Sequence, residues 1–157
     1  MFYYIDPSLS EPHVVDSVHA ALRSVASLSA VRFVANATAV NRVRITRLDG
    51  FCNSAVGQVG GEQVLNLDGT GSCPTGTIIH EVLHALGFFH EQSRSDRDGF
   101  VTVLPDHIRA SFLDQYDILD CDTRTGVGNC EDLSTPYDYL SIMHYGMDSF
   151  CERDDTT

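Results

Sequence analysis

Basic residues and long apolar runs are both scarce in this 157-residue sequence. Lysine and arginine together number 10 against 22 aspartates and glutamates, which gives a net charge of −12 at pH 7. A surface this acidic repels phosphate backbones and anionic lipid headgroups, so we expect no nucleic-acid partner. No apolar stretch approaches the roughly 20 residues that a membrane-spanning helix needs. No internal repeat or low-complexity segment is present either, which excludes repeat architectures.

Residues 1–6 carry neither a basic region nor a long apolar core, so we expect no secretion leader within this sequence. The five cysteines nevertheless favour an oxidising compartment, and Asn36-Ala37-Thr38 forms an N-glycosylation sequence that is consistent with secretion. The length and the 43% apolar content suit a globular protein with a real core. We therefore predict one domain over residues 1–157.

The most informative segment runs from His80 to Glu91 and reads HEVLHALGFFHE. It fits the pattern H-E-x-x-H-x-x-G-x-x-H, which is typical of a three-histidine zinc site. Residues four apart lie on one face of a helix, so His80 and His84 can bind a single cation. Zinc accepts imidazole nitrogens at about 2.0–2.1 Å, and a catalytic zinc ion takes three protein ligands and keeps one position open.

The third ligand of this pattern is His90. A straight helix would place it about 9 Å beyond His84 along the axis, which is out of reach of a shared ion. The chain must therefore turn between them. Gly87 can adopt the left-handed, helix-ending conformation without a Cβ penalty, so the glycine belongs to the metal geometry.

Glu81 follows the first ligand directly and would lie beside the metal, where its carboxylate can take a proton from an activated water. The alternative is that His80 and His84 are surface residues of an ordinary amphipathic helix. The complete pattern, together with Ser-Ile-Met-His-Tyr at residues 141–145, disfavours that alternative.

These motifs resemble the astacin family of metzincin zinc endopeptidases. Residues 87–98 fit the family pattern G-F-x-H-E-x-x-R-x-D-R-D at every specified position, and the glutamate after the third histidine separates astacins from sister families. Residues 30–34 are similar to the family's x-I-R-F-V strand. The resemblance extends over about residues 2–150.

The resemblance implies a role for each matching residue. His80, His84 and His90 would bind one zinc ion per chain, and Glu81 would act as general base and acid. Tyr145 would be a further ligand of the resting metal and would then stabilise the oxyanion. A tyrosine buried in the core with a satisfied hydroxyl is the alternative for Tyr145.

Three further features near the motif also take their expected roles from the family. Met143 would form a soft apolar floor beneath the metal without a bond to it. Glu91 would be buried against an N-terminal ammonium that propeptide removal creates, which suggests activation by cleavage. The charged residues at 94–98 form either a structural ion-pair cluster or a solvated loop. His144 is expected to be a structural histidine.

The cysteines divide into two pairs and one remainder. Cys52 and Cys73 match a family disulfide, and Cys121 and Cys130 flank a short glycine-containing loop that suits a local disulfide. Cys151 is left over, because Ala30 occupies the position where the family has its partner cysteine.

The expected fold is α+β, a metzincin or zincin-like catalytic domain. It would contain a twisted, mostly parallel mixed sheet and two main helices, with an active-site cleft that has zinc at its floor. Alternating or β-branched residues predict strands, and an apolar face with a Ser10 cap predicts a helix through about Ser27. The predicted strands are 2–5, 31–35, 43–48 and 63–67, the zinc helix is 77–86, and a short helix is expected at 105–112.

We therefore predict a secreted, monomeric zinc endopeptidase that hydrolyses peptide bonds of protein or peptide substrates through a metal-activated water. The alternative is a zinc-binding relative of weak or no activity that acts in protein binding. A purely structural zinc site is disfavoured, because such sites are usually closed by four ligands rich in cysteine. We expect the chain to be a piece of a longer enzyme, with an incomplete N-terminus and C-terminal subdomain. The sequence does not indicate the physiological substrate.

Overall fold

The computed structural model describes residues 1–119 and 135–152. The chain divides into two compact units, Met1–Phe88 and Phe89–Thr157. The first unit contains a layered sheet and two helices, and the second contains short helical turns joined by loops. No helix within the described ranges is long and apolar enough to cross a bilayer. The cysteine pair Cys121 and Cys130 lies outside the described residues, so its disulfide stays a prediction.

The first unit is built on a five-stranded sheet with the order β2-β1-β3-β5-β4. The strands β1, β2, β3 and β5 run parallel, and β4 runs antiparallel to β5 along one edge. The sheet is therefore mixed and mostly parallel, which confirms the predicted α+β class. The strands are β1 (Phe2–Ile5), β2 (Val34–Ala35), β3 (Arg42–Arg47), β4 (Asn53–Ser54) and β5 (Glu62–Leu67).

Two α-helices complete this unit, α1 (Pro12–Ser27) and α2 (Thr75–Ala85). The predicted apolar face of α1 is confirmed, because all of its members are buried. It packs into one core with the central strands and α2, and burial of such side chains stabilises the unit by about 25 cal/mol per Å² of apolar surface. The main members of this core are Val14, Val18, Leu22, Val25, Val43, Ile45, Leu65, Leu67, Ile78 and Val82.

Several predicted boundaries were wrong, each for a local reason. The N-cap of α1 is Glu11 rather than Ser10, and no side chain caps that end; Pro12 provides the preset backbone angle of the first turn. The strand expected at 31–35 is reduced to Val34–Ala35, because only that stretch pairs with β1. The helix α2 begins at Thr75, directly after Pro74, two residues earlier than predicted.

The sequence patterns did not predict the strand β4. Its two residues are polar and carry no alternation, and they become a strand only because they pair with Leu65 and Asn66 of β5. The predicted disulfide lies beside it: Cys52 and Cys73 are bonded, with their Cα atoms 6.1 Å apart. This bond connects the residue before β4 to the turn that leads into α2.

The second unit has no regular strand in its described part. Four 3-10 helices span Glu91–Ser93, Arg97–Gly99, Pro105–His107 and Ala110–Tyr116. The single short helix expected at 105–112 is therefore two separate turns, broken by the extended Ile108, which forms an isolated bridge with Cys151. Cys151, which the sequence left without an assigned partner, is a free cysteine within the described residues.

Candidate metal centre

The first two histidines of the motif lie one turn apart on α2. Their rings meet edge to face, with centroids 4.5 Å apart. His84 is buried at 6% exposure, whereas His80 is partly accessible. The helix therefore presents two imidazoles side by side on one face, as the four-residue spacing predicted.

The ring of His84 is held in place by a hydrogen bond to the main chain. Its Nδ1 lies 2.7 Å from the carbonyl oxygen of Phe88. A carbonyl can only accept, so Nδ1 carries the proton and Nε2 carries the lone pair that can bind a cation. Burial also lowers the pKa of His84, which favours the neutral ligand form.

The helix α2 ends in a Schellman motif centred on Gly87. The Gly87 N–H donates to the His84 carbonyl at 2.8 Å, and the Phe88 N–H donates to the Leu83 carbonyl at 3.0 Å. Gly87 has a φ of 107°, in the region that favours glycine. The turn predicted from the position of this glycine is therefore present.

The ligand nitrogens of His80, His84 and His90 lie within 4.8 Å of one another. Nitrogens around one tetrahedral zinc ion are about 3.4 Å apart, given metal–nitrogen distances of about 2.0–2.1 Å. Three imidazole nitrogens gathered this closely are the donor set of a catalytic zinc ion, so the residues present fit zinc. The three histidines are positioned to bind one zinc ion.

Glu81 is the buried acid of this site, with 5% exposure. Its Oε2 atom is buried and has no hydrogen-bond partner within the described residues. Burial raises the pKa of this carboxyl to about 7, and a hydrogen bond from the Ser54 backbone N–H opposes that rise. An unpaired carboxylate oxygen inside a protein is costly unless a proton, water or cation meets it, so its environment suits a group that exchanges protons.

His90 and Tyr145 are neighbours within the second unit, with ring centroids 4.3 Å apart. The Tyr145 hydroxyl donates to Oε1 of Gln115 at 3.4 Å, a long hydrogen bond. The Tyr145 backbone N–H donates to Oε1 of Gln92 at 3.1 Å. The backbone of Tyr145 is thus fixed by a buried glutamine, and its hydroxyl is bonded to a second glutamine.

Met143 and Glu91 are linked through the main chain. Met143 is buried at 4% exposure, and its carbonyl accepts the Glu91 N–H at 3.0 Å. The Glu91 carboxylate accepts hydrogen bonds from Arg94 at 3.1 Å and from the Asp138 N–H at 2.9 Å. Glu91 therefore joins the start of the second unit to the segment that leads into the methionine turn. An N-terminal ammonium as its partner stays a prediction.

The charged residues at 94–98 form a structural cluster, which was one of the two alternatives. Arg94 makes a two-pronged pair with Asp96, at 2.9 Å for both contacts. Arg97 is 9% exposed and donates to the carbonyls of Gln92 and Tyr116 at 2.9 and 2.8 Å. These arginines tie separate loops together, as planar guanidinium groups with several donors can do.

His144 has the structural role expected of it. Its Nε2 lies 2.7 Å from the Tyr137 hydroxyl, and its Nδ1 lies 2.7 Å from the Tyr145 carbonyl. Both ring nitrogens are therefore engaged, which leaves the ring no free donor or acceptor atom.

Sequence reasoning missed three groups that shape the site: the N–H of Ser54, the carbonyl of Phe88 and the side chain of Gln92. The first two act through the main chain, so their residue types carry no signal. Gln92 sits beside Glu91 in a position where the motif specifies no residue, and its burial at 2% exposure is visible only in three dimensions.

The family model described as "Astacin", which defines a family of peptidases, matches residues 1–157. The chain belongs to the astacin family. Its curated relatives in that family include the Caenorhabditis elegans zinc metalloproteinase nas-15, which is 41% identical over 141 residues, covering 89% of this chain and 23% of the relative. The astacin relatives also include high choriolytic enzyme 2 of Oryzias latipes, 37% identical over 148 residues, with 94% and 49% covered.

A solved astacin structure confirms the fold. High choriolytic enzyme 1 of Oryzias latipes, described as a hatching enzyme zinc-protease, has a TM-score of 0.85 and 34% sequence identity, with 99% of this chain and 72% of that chain covered. Myroilysin is similar in fold alone, at a TM-score of 0.61 and 17% identity. The chain spans about a quarter of the length of the C. elegans relatives nas-15 and nas-31, at 23% and 24%.

Proposed function

We propose that the chain provides the catalytic centre of a zinc-dependent endopeptidase that hydrolyses peptide bonds within protein substrates. Membership of a peptidase family and the histidine triad support this proposal. The observation that carries it is Glu81, a buried carboxyl group directly after the first ligand, with one oxygen that has no hydrogen-bond partner among the described residues. A metal site that only stabilises the fold does not require a buried carboxyl group beside its ligands.

The reaction is peptide hydrolysis, in which a proton must leave the attacking water and reach the departing amine. Zinc bound at the triad would lower the pKa of water and polarise the scissile carbonyl. Glu81 takes the proton on its unpaired Oε2 and hands it to the amine nitrogen, acting first as base and then as acid. A pKa of about 7 suits a group that must do both near neutral pH.

Tyr145 is proposed to stabilise the oxyanion of the tetrahedral intermediate. Its hydroxyl can donate one hydrogen bond, and its present bond to Gln115 is long at 3.4 Å. A phenol hydroxyl that exchanges this bond for one to the substrate oxygen can stabilise the charge that develops there. Ser54 and Phe88 have supporting parts, since they orient Glu81 and His84 through main-chain hydrogen bonds.

Replacement of Glu81 tests the mechanism. We expect Glu81→Gln to lower kcat for an internally quenched peptide by about 10²–10⁴-fold, because the amide cannot accept the proton. The zinc content, measured by atomic absorption, should stay near one per chain. Full activity of Glu81→Gln would contradict the role of this carboxyl. Zinc-loaded, folded wild-type protein that cuts no peptide in a diverse library would instead favour the non-catalytic alternative.

We also propose that the protein acts outside the cell as a monomer. The disulfide between Cys52 and Cys73 supports an oxidising compartment. Secretion of the protein with this bond intact, read by thiol titration before and after denaturation, would be the supporting result.

A further inference from the structure

We propose that Asn36 is a glycosylation site, carrying an oligosaccharide linked through N-acetylglucosamine to its side-chain nitrogen. Asn36, Ala37 and Thr38 form the one Asn-x-Ser/Thr sequence of the chain, and the middle residue is not proline. The proposal does not depend on peptidase activity. It depends on entry into the secretory pathway, which the disulfide independently supports.

Asn36 is partly exposed, and its local hydrogen bonds engage the side-chain oxygen rather than the reacting nitrogen. Both the N–H and the hydroxyl of Thr38 donate to Oδ1 of Asn36, each at 2.9 Å. These two bonds fix the amide group and turn its Nδ2 atom away from Thr38. No hydrogen bond joins Nδ2 to another part of the described chain. The next two residues, Ala37 and Thr38, are exposed.

The position in the fold also tolerates a large substituent. Asn36 follows β2, which is an edge strand paired only with β1. Its backbone N–H donates to the Tyr3 carbonyl at 2.8 Å, so the residue is anchored by its main chain while its side chain is at the rim of the sheet. A glycan attached there would lie beside the outermost strand of the sheet, next to which no further strand pairs among the described residues. It would also cover an open strand edge of the kind that promotes association.

The modification transfers an oligosaccharide from a lipid carrier to the side-chain nitrogen of Asn36. Nδ2 attacks the anomeric carbon of a lipid-diphosphate-linked oligosaccharide, and a new N–C bond forms. The bond from that carbon to the diphosphate oxygen breaks, and the lipid diphosphate leaves. The amide nitrogen gives up one proton to a base on the glycosyltransferase, and nothing is oxidised or reduced.

The test is expression of the whole chain behind a secretion signal in insect cells, followed by intact-mass measurement before and after treatment with an N-glycan amidase. We expect the secreted protein to lose the mass of one N-glycan, and peptide mapping to find aspartate at position 36 after the treatment. Secreted protein of unmodified mass, made in cells that glycosylate a control glycoprotein, would overturn the proposal without any variant being needed.

A pair of matched variants at Thr38 tests whether the Asn-x-Ser/Thr sequence determines glycosylation. Thr38→Ser keeps a hydroxyl at this position and should keep the glycan, whereas Thr38→Ala should lose it. Both changes leave Asn36 in place and remove no core contact. Equal glycan occupancy in the two variants would count against recognition of this sequence. Since neither Asn36 nor Thr38 belongs to the metal centre, glycosylation can be present or absent whatever the outcome of the peptidase assay.

Discussion

Gly87 is the residue on which both the end of α2 and the path toward His90 depend. At its φ of 107° a Cβ atom costs about 1–2 kcal/mol. Space is not the obstacle, because the nearest atom to an added methyl group would be the Gly57 Cα at 3.9 Å. We therefore expect Gly87→Ala to lower thermal stability through backbone strain and to weaken zinc affinity by moving the third ligand.

The matched control is Gly76→Ala, a change within the same helix at an exposed position with nothing within 4 Å. Alanine is favoured in helices, so this variant should be as stable as the wild type or slightly more so. Thermal unfolding and a zinc titration with a chromophoric competitor measure both effects. Wild-type zinc affinity in Gly87→Ala would show that the turn does not set the position of His90.

The residues of the site differ in how far the sequence could predict them. The histidine spacing predicts a shared face of a helix, because that periodicity is local. Glu81 could be assigned from its place beside a ligand, but its burial and its unpaired oxygen depend on distant chain. The Ser54 N–H that contacts it belongs to a two-residue strand, which exists only through pairing with β5. Local patterns cannot encode such a contact.

At the scale of elements, the strands β3 and β5 and the helix α1 were predictable because each has a long, regular pattern of apolar residues. Their ends were not, since pairing and prolines set them. Pro74 starts α2 earlier than its apolar pattern does, and the pairing with β1 limits β2 to two residues. The short turns of the second unit are held by individual arginine and tyrosine contacts rather than by a regular apolar face. Its sequence therefore shows no apolar periodicity from which those turns could be predicted.

The disulfide that connects β4 to the approach of α2 should be a major source of stability. Its cysteines are 21 residues apart in sequence, and closing a loop of that length stabilises by about 3 kcal/mol on the chain-entropy model. We expect the double variant Cys52→Ala/Cys73→Ala to lose roughly that free energy of unfolding in a denaturant titration. Cys151→Ala is the control, since that thiol is free and its loss should leave the midpoint nearly unchanged. Equal midpoints for the double variant and the wild type would show that the cross-link does not limit unfolding.

At the scale of the whole molecule, the acidic composition and the metal centre act on different properties. A net charge of −12 favours solubility and disfavours anionic partners, but it does not determine the fold. The metal site has a more direct connection to stability, because its three ligands come together only in the folded chain. Metal binding and folding are therefore linked.

This linkage predicts that zinc raises the unfolding temperature of the whole chain and that chelation lowers it. At free zinc about 1,000 times the dissociation constant, the gain is about 4 kcal/mol, provided that the unfolded chain binds no metal. The variant His84→Ala should lose most of this response, because two imidazoles hold the ion less tightly than three. The control His107→Ala removes an exposed imidazole outside the triad and should keep the full response. Calorimetry with and without zinc measures the shift in unfolding temperature for each protein. A shift of the same size in His84→Ala and in the wild type would mean that the stabilising ion binds elsewhere on the molecule.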